Sequence, residues 1–261
     1  MPAFKPVTAL VRGLLVLNVV SRRKKANVPD IHTETGLDKA TIIRMLETLM
    51  HAGYVAKNGI DGSYVPTGRT ADLSSGLSVH ERIVDSAGPI VSAFQREVGW
   101  PCDLAVLDGD AMFLVYGSNE RGALRVQRSA GGSHTALLMS SLGRAYLAHC
   151  EKDEQDRLIA RLAKVPGLDT QPARHPVELR ALLKKVRAQG FALGDEQYGA
   201  RQQFPTLWGF SVPVRDSGTV YGSMGIIMLR NAVPLRDALQ KYLRPMQKTA
   251  AEIAQRLAEH R

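Results

Sequence analysis

At 261 residues, with 44% hydrophobic and 23% charged side chains, the chain is long enough for two packed domains and too ordinary in composition for a disordered or fibrous polymer. Its formal net charge of +9 favours polyanionic partners, but the basic excess is spread over both halves and locates no site. Cys102 and Cys150 are far apart and outside any CxxC spacing, which excludes a disulfide framework and a structural zinc site. No run of 18 apolar residues suggests a membrane span, and the start of the chain lacks the ordered regions of a signal peptide, so a cytoplasmic location is expected.

In chain order, residues 7–20 place Leu10, Val11, Leu14, Leu15 and Leu17 on one helical stripe, expected to support the helices that follow. The basic run Arg22-Arg23-Lys24-Lys25 reads equally as a hydrated connection or a loop that contacts phosphate. A short helix begins near Asn27, a suitable N-cap with Asp30 in the first turn, and ends at Gly36. In the next helix Ile42, Met45, Leu46 and Leu49 point inward. Ala40 and Arg44 lie roughly 160° to 200° away round the wheel, with Thr41 flanking them. An apolar back and a partly cationic front near the N-terminus suit the major groove of DNA. Lys39, Ala40, Thr41 and Arg44 are therefore the expected reader residues. Arg44 has two readings, a bidentate contact to guanine or a grip on phosphate.

Beyond Gly53 the pattern turns strand-like. Tyr54-Val55-Ala56-Lys57 and Ser63-Tyr64-Val65-Pro66 flank the turn-rich loop Asn58-Gly59-Ile60-Asp61-Gly62, which predicts a β-wing with Lys57 against the DNA backbone or minor groove. Residues 1–68 thus read as a winged helix-turn-helix domain. Residues 69–98 are helical, with a break or bend expected near Gly76 and again at Gly88-Pro89; the first part, 69–82, reads as a connector. A second domain, 83–261, contains strands at 103–107 and 111–116 across Asp108-Gly109-Asp110, and a third at 124–128. Helices follow at 140–150, 152–162 and 177–189, the last stopped by Gly190. A second hairpin joins 209–214 to 219–228 across Asp216-Ser217-Gly218, and a helix from Leu235 towards His260 ends the chain. Strands and helices segregated in this way predict an α+β domain, an antiparallel sheet flanked by helices.

The chemistry-bearing motifs of enzymes do not occur. Ser133-His134 and Ser140-Ser141 lack a GxSxG elbow, and the seven histidines form no HExxH. Neither GxxxxGK[ST] nor GxGxxG occurs, so the chain is read as a non-enzyme and no cofactor or metal is implied. A sensor whose N-terminal helices only dimerise is a third class. Salt-dependent DNA binding separates it from a regulator.

Three groups of residues carry a resemblance: Leu10-Val11-Arg12-Gly13-Leu14-Leu15-Val16-Leu17 with the reader helix and Tyr64-Val65-Pro66-Thr67; Leu104-Ala105-Val106-Leu107-Asp108-Gly109-Asp110; and Ser141-Leu142-Gly143-Arg144-Ala145-Tyr146-Leu147-Ala148 with Gly190-Phe191-Ala192. Together they resemble the IclR family of bacterial regulators over nearly the whole chain. The resemblance implies a winged helix-turn-helix joined to a GAF-like effector domain. It also implies a homodimer or dimer of dimers on operator DNA, RNA polymerase at the promoter, and a small organic acid as effector. Two departures stand out: Ala40 where Ser or Thr is common, and Thr135-Ala136 where Leu-Pro is frequent. The stretch Arg96-Glu97-Val98-Gly99-Trp100-Pro101-Cys102-Asp103 is similar to a branch controlling catabolism of hydroxyphenylpropionate-like aromatic acids; a short aliphatic keto or dicarboxylic acid is the alternative effector.

The resemblance places Thr135, Ser141, Leu142, Gly194, Trp208, Gly225 and Ile227 around the effector pocket. Ser141 and the helix start beside it suit a carboxylate, and Trp208 offers a flat wall to an aromatic ring. Met112 and Phe210 are expected in the same cavity, with Arg128 at its mouth as a partner for an acid. For Trp208, Phe210 and Met112, ordinary core packing is the competing reading.

Overall fold

The structure is a computed structural model and describes residues 6–73, 78–117, 134–201 and 206–259, with backbone alone at 78–82 and 199–201. The expected strand at 124–128, the expected bend at Gly76 and the side chain of Arg128 lie outside these residues. The chain divides into two compact units, Met1–Ser78 and Val79–Arg261. No described helix is long and apolar enough to cross a membrane.

The first unit packs α1 (Thr8–Arg23), α2 (Val28–Thr35) and α3 (Lys39–His51) beside a two-stranded antiparallel wing, β1 (Val55–Lys57) and β2 (Tyr64–Pro66), followed by one turn of α4 (Arg69–Asp72). Local chemistry sets the boundaries of α2 and α3. The Asn27 Oδ1 accepts the Asp30 N–H at 2.8 Å, and Asp30 returns the bond to the Asn27 N–H at 3.1 Å. Such a capping box stabilises a helix start by about 0.5–2 kcal/mol. Gly36 ends α2 at φ 67°, where a Cβ would be strained. Ile31, Ile42, Leu46, Val55 and Tyr64 close the core against Val16, Leu17, Val19 and Val20.

That core corrects the reading of α1. The helix runs three residues past the expected end, and its buried face is Val16, Leu17, Val19 and Val20. Of the expected stripe only Leu17 is buried; Leu10 (62% exposed), Val11, Leu14 and Leu15 face outward. The core contributed by α2 and α3 is short, so it covers only the C-terminal half of a 16-residue helix.

The second unit is α+β, as expected. α5 (Ser78–Val98) is one helix with Pro89 inside it, so of the break or bend expected at Gly88-Pro89 no break occurs. A six-stranded antiparallel sheet has the order β5-β4-β3-β8-β7-β6, from β3 (Cys102–Asp108), β4 (Ala111–Gly117), β5 (His134–Ala136), β6 (Ala192–Leu193), β7 (Leu207–Arg215) and β8 (Val220–Leu229). Its helices are α6 (Ser141–His149), α7 (Lys152–Leu162), α8 (Pro176–Gln189), α9 (Glu196–Arg201) and α10 (Leu235–Ala258), with a 3-10 turn at Gln171–Arg174. The edge strands β5 and β6 are too short to have announced themselves by alternation.

Both faces of the sheet are covered. α5 and α10 pack with Leu104, Phe210, Val212, Met224, Ile226 and Met228 on one face. α6, α7 and α8 pack with Ala105, Met112 and Leu114 on the other. At the end of α6, burial holds the His149 imidazole below its ordinary 6.5; the nearby Arg215 and Arg187 add to this and its bond to the Ala145 carbonyl opposes it. The unfolded chain therefore takes up that proton at higher pH than the folded one. Stability is full above about 6.5 and declines as pH falls below it. We expect the melting temperature to drop between pH 7 and pH 5, and His149→Gln to remove part of that drop in calorimetry. Burial likewise pushes the Cys150 thiol up to about 12 and raises that of Cys102, so neither free cysteine is a nucleophile near neutral pH.

Candidate functional site

The reader surface forms on α3. Lys39, Ala40 and Arg44 are exposed along its front while Ile42 and Leu46 are fully buried behind. Asp38 caps the helix, its carboxylate accepting the Thr41 N–H at 2.8 Å and the Thr41 hydroxyl at 2.7 Å. The Thr41 hydroxyl is thus engaged in holding the helix start and is half-buried, unlike its three neighbours. Lys57 is exposed on the wing, its Nζ 5.8 Å from the Tyr64 ring centroid.

Charge sorts the remaining cations. Arg22 pairs with Glu34, Arg23 with Asp30 and Glu34, and Lys25 with Asp61 at the foot of the wing. Most of the basic run therefore serves to tie α1, α2 and the wing together. Lys25, with the Ser63 hydroxyl and amide, draws the Asp61 carboxyl down to about 2. Among the described residues no carboxylate pairs with Lys39, Arg44 or Lys57, so these cations face solvent uncompensated. The wing adds a feature that the sequence reading passed over: Ile60 stands at its tip, 96% exposed, with the turn held by the Asn58 and Asp61 side chains.

In the second unit the small-residue face of β7 and β8 meets the start of α6. Gly209 lies opposite Ile227, Ser211 opposite Gly225 and Pro213 opposite Ser223. The Ser211 hydroxyl donates to the Ser141 hydroxyl at 2.8 Å, and the Ser223 hydroxyl donates to the Leu142 carbonyl at 2.9 Å. A Cβ on Gly225 would stand 2.9 Å from the Ser211 hydroxyl and 3.2 Å from Leu142; one on Gly194 would stand 3.4 Å from the Ser141 amide nitrogen. Ser140, not Ser141, is the N-cap, accepting the Gly143 N–H at 3.0 Å. Ser141, Leu142, Gly194 and Gly225 are thereby brought together, and Ile227 is on the same sheet face one register step along. Thr135 joins them on that face, opposite the wholly buried Met112.

Two expected pocket residues are placed elsewhere. Phe210 is fully buried on the α5–α10 face, edge-on to Phe191 at 6.0 Å, and Trp208 packs half-buried against the same cluster. A strand alternates its side chains, so with Ser211 turned to α6, residues 208 and 210 face away. Both side chains pack in that cluster. Ser211, Asp103 (opposite Gly225), Arg144, Asp195 and Tyr198 are polar residues around the start of α6 that the sequence reading missed. The Gly-x-Ser and Ser-x-Gly spacings at 209–211 and 223–225 were the available signal, since small residues at period two let a helix approach a sheet closely.

Residues 9–59 match the family description "IclR helix-turn-helix domain", and residues 77–255 match "Bacterial transcriptional regulator IclR C-terminal". The chain is 25% identical over 240 residues to the Pca regulon regulatory protein of Pseudomonas putida, covering 91% of this chain and 79% of that one. A crystal structure of an IclR family transcriptional regulator from Brucella abortus superposes with a TM-score of 0.65 at 22% identity, covering 96% of this chain and 93% of that one. An IclR homolog from Microbacterium hydrocarbonoxydans, complexed with 4-hydroxybenzoate, gives a TM-score of 0.65 at 21% identity, covering 96% and 99%.

Proposed function

The chain belongs to the IclR family of bacterial transcriptional regulators, and from that premise we propose that it binds its operator as a homodimer or dimer of dimers and answers to a small hydroxylated aromatic acid. Lys39, Ala40 and Arg44 read the major groove, Thr41 holds their helix start in place, and Lys57 steadies the wing on the backbone. The observation that carries the effector reading is the bay at the start of α6. There the first-turn amides, which carry the positive end of the helix dipole, meet Ser141, Ser211 and the side-chain-free Gly194 and Gly225. A carboxylate fits that chemistry. The aromatic body is supported by kinship, because a family relative holds 4-hydroxybenzoate; Trp208 takes no part in the argument. Ser140 and Ser141 bond to helix and strand, and among the described residues no histidine is hydrogen-bonded to either, which supports sensing over catalysis.

The second copy packs on the outward stripe of α1. Leu10, Val11, Leu14 and Leu15 form an apolar surface that no described residue of its own unit covers. Leu10→Asp with Leu14→Asp is expected to leave the fold of the first unit intact and to weaken operator binding by at least about tenfold, a change of about 1.4 kcal/mol. Unchanged mass in sedimentation and unchanged affinity would remove α1 from the interface. Effector binding shifts the spacing of the two readers through residues 69–82, changing DNA affinity by the ligand's differential affinity for the two states, typically about 1–3 kcal/mol. RNA polymerase is the partner that turns occupancy into transcription.

The test is a thermal-shift panel on the full chain, with hydroxylated aromatic acids against short keto and dicarboxylic acids. A ligand at about 100 times its dissociation constant stabilises by roughly 2.7 kcal/mol. Shifts with aliphatic acids alone would transfer the effector to that class; shifts with neither would overturn the acid-sensing reading.

A further inference from the structure

β5 and β6 are the two ends of the sheet, with four strands between them. Yet Tyr198, five residues beyond β6 on α9, is bonded to β5. Its hydroxyl accepts the Ala136 N–H at 3.1 Å and shares a proton with the Thr135 hydroxyl at 2.9 Å. The two ends of the sheet are thus clasped across the face that carries α6.

A buried arginine anchors the other side of the clasp. Arg144 is 9% exposed and its guanidinium forks three ways: Nε to the Leu138 carbonyl at 2.8 Å, one terminal nitrogen to the Leu193 carbonyl at 3.1 Å, and the other to the Asp195 carboxylate at 3.2 Å. Asp195 also donates its N–H to the Met139 carbonyl at 2.8 Å and accepts the Gln197 and Tyr198 amides at 3.0 and 3.2 Å. Residues 193–198 are therefore held by backbone, carboxylate and hydroxyl to the loop that leads into α6. Gly194 lies inside this frame, against the Ser141 amide.

We propose that Tyr198, with Arg144 and Asp195 behind it, is a positioning residue for the effector. The clasp holds the β6–α9 segment as a wall of the bay and keeps Gly194 beside the Ser141 amide, with no side chain between that segment and the start of α6. This role for Tyr198 rests on the acid-sensing reading of that bay. A wall already held in the binding geometry spares the ligand the cost of ordering it. The clasp supplies a partner to two groups of the edge strand β5, so its loss is felt locally, far from the reader helix in sequence.

The experiment uses the full chain and Tyr198→Phe, which keeps the ring and deletes the hydroxyl. Hydrogen exchange without ligand is expected to accelerate at Ala136 and in residues 193–198, while the α10 amides keep their protection. Calorimetric titration with 4-hydroxybenzoate, benzoate and pyruvate is expected to show about tenfold weaker binding of whichever acid the unaltered chain binds, with effector-free operator affinity unchanged. Arg144→Lys, which loses the three-way fork but keeps the charge, is expected to weaken the acid in the same direction. Wild-type affinity or tighter binding in Tyr198→Phe overturns the proposal, as does an equal loss of operator affinity, which a merely structural role would give. If the unaltered chain binds no acid, the sensing reading fails by itself. The exchange arm then decides the clasp, and unchanged exchange at Ala136 overturns it.

Discussion

Arg44→Ala is expected to lower operator affinity by roughly five- to 150-fold per half-site, the factor that corresponds to the ~1–3 kcal/mol of a bidentate base contact, while binding to random duplex falls far less. Arg44 is exposed on the front of α3, and no carboxylate among the described residues pairs with it, so its guanidinium is available to a base edge. The substitution leaves the buried Ile42 and Leu46 and the Asp38 cap untouched, and alanine is at least as good a helix former. Fold stability is therefore expected to hold, which separates lost recognition from lost structure. Fluorescence anisotropy on operator and scrambled duplexes at several salt concentrations makes the measurement. An equal loss on both, with the log–log salt slope smaller in size by about one, would move Arg44 to the phosphate class. Ala40 bears on the same experiment, since its methyl can meet a thymine methyl where a hydroxyl would have sought a polar edge.

Gly143→Ala is expected to be strongly destabilising in the effector unit. Inside a helix, Gly→Ala ordinarily stabilises by about 0.5–1 kcal/mol. At Gly143 the sign reverses, because the added Cβ would stand 2.2 Å from the Leu137 carbonyl oxygen and 2.5 Å from its Cα. Both obstacles are backbone, and that backbone is tethered: Leu137 and Leu138 are 2% and 1% exposed, and the Leu138 carbonyl accepts from Arg144. Overpacking of this kind costs about 1–3 kcal/mol and occasionally more, at roughly 2–4 °C per kcal/mol for a unit of this size. Gly88→Ala on α5 is the control. Its Cβ would meet Tyr116 at an ordinary 3.5 Å, so neutral or raised stability is expected. Equal melting temperatures for the two variants would sink the steric argument. Because α6 also presents Ser141 to the bay, Gly143→Ala is expected to weaken any acid effector in step with the unfolding shift.

Much of the architecture was legible before any coordinates. Asn27, Asp30, Gly36 and the turn at 58–62 announce two short helices and a wing through chemistry that acts within a few residues. The Asp108-Gly109-Asp110 and Asp216-Ser217-Gly218 turns announce the two long hairpins, and period 3.6 marks α6, α7, α8 and α10. The recognised family agrees with the family matches over both units. All of these signals are local, and local free energy decides them.

What required the tertiary structure is which surface each element turns towards which neighbour. β7 reads Leu-Trp-Gly-Phe-Ser-Val, and period two separates its faces without saying which one a given helix covers. Burial on both sides of the sheet makes either assignment apolar enough, so Trp208 and Phe210 could be sent to the bay or to the α10 core. The close approach of α6 decides it, because Ser211, Ser223 and Gly225 are the residues that meet that helix, and all three are small. The same holds for α1, whose apolar stripe is real in sequence but reaches only as far as α2 and α3 extend, and for Arg144, whose three partners lie 6 to 51 residues away. Contacts between residues so distant in sequence depend on how the elements pack, and no property of the separate segments specifies that packing.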